Sequence, residues 1–433
     1  MDFFNFQNRE LFCEDVKLAD VAEAVGTPAY VYSRQTIVHH YRKIEEAFAW
    51  AHPLICYSVK ACSNLAVLKV LAGLGAGFDV VSAGEIHRVA KAGGDPSKIV
   101  FAGVGKTDSE IEYAAGLGIL LFTVESEGEL EAIESIASRL AKRVHVALRL
   151  NPGVEAGTHA YVSTGRHESK FGLERERAHA VLGRRGDFPH VDFVGVHVHI
   201  GSQITVVEPY VEALREVARF VKDEERSGFR IETIDMGGGF GIFYKAGEAK
   251  LAEEFSAAIR PVVEPLARRF IMEPGRFIVG NAGVLLTRVL YVKESRDKRF
   301  VIVDAAMNDL IRPSLYQAEH RVWPTRPPFL PEEAERFESL AAPSGPEGGR
   351  KLTRTDVVGP VCESGDFLAL DRMLPEVRRG ELLAVFSAGA YGMTMSSNYN
   401  SRLRAAEVLV EGSKFRVVRS RETLDDLTRL ESC

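Results

Sequence analysis

The stretch FVGVHVHIGSQ, residues 193–203, shows the pattern on which the first two thirds of the chain are built. It is an apolar run that ends in small and polar residues. IETIDMGGGFG (231–241) and RFIMEPGRF (269–277) repeat this arrangement downstream. Near-continuous apolar runs bounded by turn residues indicate strands that are buried on both faces, as in parallel sheets.

Eight such runs lie between residues 55 and 273 and alternate with amphipathic stretches. The predicted strands are ICYSV (55–59), FDVV (78–81), IVFA (99–102), LLFT (120–123), VHVALRL (144–150), FVGVHVHI (193–200), IETIDM (231–236) and RFIME (269–273). The predicted helices include Thr36–Trp50, Leu65–Leu74, Glu85–Ala92, Glu127–Ala141, Tyr210–Arg226 and Leu251–Ala267. Eight alternating units favour a closed (β/α)8 barrel of the TIM type. An open doubly wound sheet is the alternative, because periodicity does not show closure.

The chain beyond residue 280 has alternating, β-rich segments and predicts an antiparallel β domain. We expect three parts: an N-terminal strand segment (1–30) that joins this domain, a barrel (31–280) and the β domain itself (281–433). The proline-rich PTRPPFLPEEAE (324–335) and the glycine-rich APSGPEGGRK (342–351) are predicted to be surface loops.

Composition excludes several classes of function. The formal net charge is −6 and the pI about 6.1, so a nucleic-acid partner is not expected. No apolar run approaches the ~20 residues that span a bilayer. The N-terminus lacks the basic and apolar segments of a secretory signal, so we expect a cytoplasmic protein. The five cysteines form no CxxC pair, which favours neither a zinc site nor a disulfide framework.

Polar residues and glycines occur where a barrel places its chemistry, at the carboxyl ends of the strands. They are Lys60, Asp79, His199, Ser202, Gly237, Gly238, Gly239, Glu273, Gly275 and Arg276. Each has an ordinary alternative, since a lysine at a strand end is usually solvated and a glycine run is usually a turn. Together they offer an amine that can form an imine, backbone N–H groups that can cradle a phosphate, and a carboxylate. Pyridoxal phosphate requires this combination.

Metal binding is the other use of the histidines in this region. His197 and His199 are spaced by two and point to the same face of a strand. The neighbouring carboxylates have no recognisable metal-ligand spacing, so we predict that no metal binds.

The motifs, taken in order, resemble those of the alanine-racemase-like, fold type III pyridoxal-phosphate enzymes, and within them the diaminopimelate decarboxylase family. The resemblance rests on YSVKACSN, FDVVSAGE, HVHIGSQ, DMGGGFG, EPGRF, VDAAMNDLIRPSLY, GPVCESGDFLA and GAYGMTMSSNYNSRLRAAEVLV. EPGR or GGGF alone is weak, but the ordered set covers nearly the whole chain. Two departures, Leu403 where proline is usual and Ala306 where glycine is common, affect no residue with an assigned role.

The resemblance implies a β-barrel-like second domain and a homodimer with shared active sites, to which the neighbouring subunit supplies Cys362 and Glu363. It also implies decarboxylation of meso-2,6-diaminopimelate to L-lysine and CO2, the last step of lysine biosynthesis. Lys60 would carry pyridoxal 5'-phosphate, with Asp79 among the cofactor-binding residues. Glu273 would bind the pyridine nitrogen, His199 would stack on the ring, and Cys362 would reprotonate Cα.

The remaining roles concern the phosphate and the substrate. The resemblance assigns the phosphate to Ser202, Gly238, Gly239, Gly275, Arg276 and Tyr391, and the substrate to Arg276, Arg312, Tyr316, Glu363 and Tyr391. Arg276, Arg312 and Tyr316 would hold the distal carboxylate, and Glu363 the distal ammonium. A positive Arg312 repels a purely cationic tail, which favours diaminopimelate over ornithine, lysine or arginine, the alternative substrates on this fold.

Three other classes of protein are weighed against a decarboxylase. A racemase on this barrel would use two bases and typically an arginine at the pyridine nitrogen, where this chain has Glu273. A regulatory homologue would be expected to lose Lys60 or Cys362, and both are present. A sugar-phosphate (β/α)8 enzyme would bind no pyridoxal phosphate.

Overall fold

The computed structural model describes residues 3–154, 170–244, 249–295, 298–330 and 352–432. The chain forms two compact units, one made of the residues up to Ile37 together with those from Val279 onward, the other of Val38–Ile278. Within the described ranges no helix is long and apolar enough to cross a membrane; the cytoplasmic location stays a prediction. The predicted loop at 342–351 lies outside the described residues, as does 331–335 of the proline-rich segment.

Four strands precede the barrel. They are β1 (Phe4–Gln7), β2 (Glu10–Cys13), β3 (Val16–Lys17) and β4 (Ala29–Ser33). The first three form a small antiparallel sheet. All residues of β4 are buried, because this strand lies inside the large sheet of the first unit.

Eight parallel strands form the barrel of the second unit. They are β5 (Leu54–Ser58), β6 (Gly77–Val80), β7 (Ile99–Phe101), β8 (Leu121–Val124), β9 (Val144–Arg149), β10 (Val191–His197), β11 (Thr233–Asp235) and β12 (Arg269–Met272). Each strand pairs with the next, and β12 pairs with β5 through Ile271↔Leu54 and Met272↔Ile55. The sheet is therefore closed, which confirms the predicted barrel and excludes the open sheet.

The described residues form twelve α-helices, of which those between the barrel strands alternate with the strands as the amphipathic patterns predict. They are α1 (Leu18–Val25), α2 (Arg34–Ala47), α3 (Leu65–Gly73), α4 (Ala83–Lys91), α5 (Asp108–Leu117), α6 (Glu127–Arg139), α7 (Arg175–Gly183), α8 (Glu208–Arg226), α9 (Ala252–Val263), α10 (Arg276–Val279), α11 (Arg312–Tyr316) and α12 (Leu424–Thr428). Side chains of Ser82 and Ser126 cap α4 and α6. The predicted helix Leu251–Ala267 was four residues too long at its C-terminal end. The observed α9 ends at Val263, because Pro265 has no amide hydrogen with which to continue the helix.

The first unit is organised around a nine-stranded sheet that includes β4. Its other strands are β13 (Gly283–Ser295), β14 (Lys298–Val303), β15 (Val322–Pro324), β16 (Leu352–Val358), β17 (Phe367–Pro375), β18 (Leu382–Val385), β19 (Ala406–Glu411) and β20 (Lys414–Arg419). Most neighbours are antiparallel as predicted, but β14 with β16 and β4 with β19 are parallel, so the sheet is mixed. A parallel pair needs a long connection, and both pairs join strands that are far apart in the chain.

A buried apolar layer fills the barrel beneath the strand ends. Cys56, Val100, Leu121, Ala147 and Ile271, from five different strands, pack together in it. The layer supports the polar residues that follow the strands, because their backbones continue directly from it.

Truncation in this layer should destabilise the barrel. Ile271→Ala leaves a cavity at a fully buried site, so we expect the free energy of unfolding to fall by about 2–5 kcal/mol, and by about 0.5–1.5 kcal/mol for Ile271→Val. Urea denaturation followed by circular dichroism measures both. Val206→Ala, at a residue 46% exposed, is the control and should change stability by less than about 0.5 kcal/mol. If Ile271→Ala lowered the free energy of unfolding as little as the control does, Ile271 would not be part of a tightly packed core.

Candidate active site

Lys60 and Asp79 lie together at the carboxyl ends of the first two barrel strands. Lys60 is in the short turn after β5, and its Nζ is 3.2 Å from Oδ2 of Asp79 on β6. The same oxygen accepts a hydrogen bond from Oγ of Ser58, and Oδ1 is buried without a hydrogen-bond partner among the described residues. Burial, and then the charge of Glu273, raise the pKa of Asp79, while Lys60 opposes them. The side chain of Lys60 is 36% exposed, so a ligand can reach its amine.

Glu273, directly after β12, has a buried carboxylate that pairs with His197 at the end of β10. Nε2 of His197 donates to Oε2 of Glu273 at 3.2 Å. Burial alone would raise the pKa of Glu273, but the charge and hydrogen bond of His197 outweigh it and lower the pKa to about 2. The other oxygen, Oε1, is buried without a partner in the described part of the chain. Glu273 is therefore an ionised carboxylate, and one of its oxygens can accept a further hydrogen bond.

Asp235, the last residue of β11, completes a buried group with His197 and Glu273. One possible ligand atom from each of the three lies within 4.8 Å of the other two. Burial, and then the charge of Glu273, raise the pKa of Asp235 well above its usual value. A carboxyl that retains its proton is a poor metal ligand, because ligation requires the deprotonated form. The absence of a metal stays a prediction.

His199 lies past the end of β10 and contacts the glycine loop. Its Nδ1 accepts a hydrogen bond from the backbone N–H of Gly238, with 3.2 Å between the nitrogens. Desolvation, followed by the positive charges of Lys60 and Arg149, lowers the pKa of His199 well below its usual value. The ring is therefore neutral at neutral pH, with its hydrogen on Nε2.

The glycine loop after β11 passes too close to its neighbours for side chains. A Cβ on Gly238 would come within 2.0 Å of the backbone oxygen of Glu273. A Cβ on Gly239, whose φ is +106°, would come within 2.2 Å of the backbone oxygen of Gly201. Only glycine fits at either position, so bare backbone lines this part of the barrel rim.

Arg276 and Ser202 meet beside this loop. The Arg276 guanidinium is buried and donates from Nη2 to Oγ of Ser202 at 3.0 Å and from Nη1 to the hydroxyl of Tyr244 at 2.7 Å. Gly275 precedes it, and a Cβ there would lie 2.8 Å from Cβ of Ser58. A guanidinium flanked by hydroxyls is suited to an anionic group such as phosphate or carboxylate.

A buried ion pair at the carboxyl ends of β8 and β9 was missed from sequence. Nη1 of Arg149 is 2.9 Å from Oε1 of Glu125, with both side chains almost fully buried. Nη2 of Arg149 is 3.4 Å from the backbone oxygen of His199, so the pair supports that histidine. The arginine inside VHVALRL was a usable signal, because a charge in an apolar strand needs a partner. The local sequence predicts neither the contact of Tyr244 with Arg276 nor the pairing of His197 with Glu273.

Arg312 and Tyr316 are the first and last residues of α11, in the unit of the large sheet. The buried Arg312 donates from Nη1 to Nε2 of His320 at 2.8 Å, and Nδ1 of His320 donates to the backbone oxygen of Phe386 at 2.9 Å. Because a carbonyl can only accept, the tautomer of His320 is fixed and the ring is neutral. Tyr316 is half-buried.

Cys362 and Glu363 lie in the CESGD loop (residues 362–366) and are both exposed. The other three described cysteines are buried. Asp366 anchors the loop, because its carboxylate accepts hydrogen bonds from the backbone N–H groups of Val361 and Met307, each at 2.7 Å. The thiol of Cys362 is thus presented to solvent on a fixed backbone.

Tyr391, in the GAYG turn, has a left-handed backbone with φ of 55° and is half-buried. This conformation is costly for a bulky residue and occurs preferentially at functional sites.

The predicted residues thus divide between the two units. The barrel unit holds Lys60, Asp79, His199, Ser202, Gly237, Gly238, Gly239, Glu273, Gly275 and Arg276, and the other unit holds Arg312, Tyr316, Cys362, Glu363 and Tyr391. Within the barrel unit the structure brings Lys60 to Asp79 and Ser202 to Arg276. That the two sets serve one site stays a prediction.

Comparison with known proteins confirms the resemblance. Residues 34–280 match the family model of the pyridoxal-dependent decarboxylases, pyridoxal binding domain. The chain is 49% identical to the diaminopimelate decarboxylase of Pseudomonas aeruginosa, over 100% of this chain and 99% of that protein. It is also similar to the crystal structure of the Helicobacter pylori diaminopimelate decarboxylase complexed with L-lysine (41% identity, TM-score 0.87, 96% and 99% of the two chains). The structure of the M. jannaschii enzyme in co-complex with L-lysine has 34% identity and a TM-score of 0.91, over 100% and 98%. The chain belongs to the diaminopimelate decarboxylase family of pyridoxal-dependent decarboxylases.

Proposed function

We propose that this chain decarboxylates meso-2,6-diaminopimelate to L-lysine and CO2, the last step of lysine biosynthesis, with pyridoxal 5'-phosphate as cofactor. The observation that carries the proposal is the barrel rim, where an accessible lysine amine and an ionised, buried carboxylate lie at the ends of neighbouring strands. Membership of the family supports the substrate.

The barrel residues fit the cofactor at three points. The amine of Lys60 is accessible for a covalent link. Oε1 of Glu273 is a buried acceptor that a protonated pyridine nitrogen would satisfy. The side-chain-free Gly238 and Gly239, with Arg276 nearby in the same rim, suit a phosphate. Bound there, the pyridinium ring supplies the electron sink that loss of CO2 from an amino acid requires.

Residues of the barrel, together with Tyr391 of the other unit, hold the cofactor. Lys60 holds the cofactor through Nζ, and Asp79 orients that amine. Glu273 keeps the pyridine nitrogen protonated, because its pKa of about 2 leaves the carboxylate charged at any pH at which the protein works. The neutral His199 packs on the ring. The phosphate is held by Ser202, Gly238, Gly239, Gly275, Arg276 and Tyr391.

The substrate tail explains the choice of diaminopimelate. Arg276, Arg312 and Tyr316 hold the distal carboxylate, and Glu363 takes the distal ammonium. His320, one hydrogen-bond partner of Arg312, is neutral, so this contact does not cancel the positive charge that a carboxylate would seek. Decarboxylation of ornithine, lysine or arginine is the alternative, and an arginine at the tail disfavours it.

Cys362 is the acid that returns a proton to Cα, and it acts in the site of a neighbouring subunit. The exposure of its thiol and of Glu363 supports a homodimer with shared active sites, because an exposed pair on a fixed loop is available to a second chain.

Lys60→Ala should abolish the near-visible absorbance of a lysine-bound cofactor. In wild-type protein loaded with pyridoxal phosphate, borohydride should abolish this band. The protein mass should then increase by that of the covalently attached cofactor. Lys69→Ala, at an exposed lysine of α3, is the matched control and should retain the band. A band of wild-type intensity in Lys60→Ala would rule out the covalent role.

A substrate panel tests the tail assignment. We expect kcat/KM for CO2 release from meso-diaminopimelate to exceed that for ornithine and lysine by roughly four to five orders of magnitude, because a site built for a polar substrate group strongly rejects analogues that lack it. Faster turnover of ornithine would overturn the substrate while leaving the cofactor proposal intact.

Mixed dimers test the shared site. Lys60→Ala and Cys362→Ala chains should each be inactive as homodimers. A purified heterodimer of the two should regain one intact site, because Lys60 of one chain and Cys362 of the other then lie in the same site. A heterodimer of wild type with the Lys60→Ala/Cys362→Ala double variant is the opposite control and should be inactive. Activity in this control, with none in the first heterodimer, would show that each chain uses its own cysteine.

A further inference from the structure

Tyr399 and Asn400 contact consecutive residues of the CESGD loop, and the function proposed above gives them no task. The hydroxyl of Tyr399 donates to Oε2 of Glu363 at 3.0 Å. Oδ1 of Asn400 accepts a hydrogen bond from the backbone N–H of Cys362 at 2.8 Å. All four residues are exposed, so burial does not require either contact.

The turn that carries both residues has a fixed backbone. Asn400 and Ser401 have φ of 56° and 54°, a left-handed conformation that asparagine tolerates better than most residues. The side-chain nitrogen of Asn398 donates to Oε2 of Glu422 at 2.7 Å and to the backbone oxygen of Arg402 at 2.9 Å. The Tyr399 side chain therefore extends from a rigid base.

The carboxylate of Glu363 is the part of the loop that needs such support. Asp366 and Asn400 fix the backbone on both sides of it, but an exposed glutamate has considerable rotamer freedom. Within the described residues, Tyr399 is the hydrogen-bond donor to this carboxylate, and it occupies Oε2. Oε1 remains for a substrate group.

We propose that Tyr399 is a positioning residue that holds the carboxylate of Glu363 toward the distal ammonium of the substrate and so contributes to specificity for a diamino acid. The inference rests on the proposed function, which assigns that ammonium to Glu363. The hydrogen bond to Glu363 raises the pKa of Tyr399, so the hydroxyl keeps the proton that it donates.

The test compares two substrates in the holoenzyme. 2-Aminopimelate has the distal carboxylate of diaminopimelate but lacks the distal ammonium. In Tyr399→Phe we expect kcat/KM for meso-diaminopimelate to fall about tenfold, mainly through KM, and that for 2-aminopimelate to stay within about twofold. A merely structural role would lower both equally, so an unchanged ratio between the substrates overturns the inference.

Two further variants sharpen the result. Tyr291→Phe, at a tyrosine of β13 that is 56% exposed, is the matched control and should leave both substrates unaffected. In a Glu363→Gln background, Tyr399→Phe should cause no further loss of preference, because the carboxylate through which it acts is gone. If Tyr399→Phe lowers the preference for meso-diaminopimelate in this background as much as it does in the wild type, the inference is overturned. If wild type itself does not prefer diaminopimelate to 2-aminopimelate, the role of Glu363 in the proposed function fails first, and the role of Tyr399 with it.

Discussion

The hydrogen bonds between β12 and β5 close the barrel, and the arrangement of its polar rim depends on that closure. Pairing continues past the end of β12, where the backbone N–H of Ser58, the last residue of β5, donates to the backbone oxygen of Pro274. Lys60 and Glu273, more than two hundred positions apart in the chain, therefore follow neighbouring strands. Parallel strands end on one side, so the residues after each of them share one rim.

Burial acts on three carboxyl groups of this rim in the same direction, but only one of them is strongly acidic. It raises the pKa of Asp79 and Asp235, and the charge of Glu273 adds to the effect. Glu273 differs because His197 donates to it directly, which lowers its pKa to about 2. Neighbouring carboxyl groups in a low-dielectric site cannot all ionise. The negative charge is therefore concentrated on Glu273, which accepts the hydrogen bond from the imidazole of His197. The proposed function uses that charge at the pyridine nitrogen.

The first unit, which contains the nine-stranded sheet, positions Cys362 and Glu363 differently from the barrel residues. Barrel residues are held by burial, whereas Cys362 and Glu363 are exposed and rely on hydrogen bonds to the loop that carries them. Exposed groups need such anchoring if they are to act from one position, because their side chains lose more freedom on binding. Asp366 and Asn400 fix the backbone, and Tyr399 fixes a carboxylate. The proposed function places this loop in the site of a second chain.

The sequence by itself determined the number and order of the barrel strands, because a buried parallel strand must be apolar over its length and each such run is a local property. It also identified Lys60, Glu273 and the glycine loop, since a polar or side-chain-free residue after an apolar run marks a strand end. Only the tertiary structure decided that the sheet closes, that β4 pairs in parallel with β19, and that His197 stands against Glu273. These are pairings between residues distant in the chain, and nothing in the local pattern of either partner encodes which other segment it will meet.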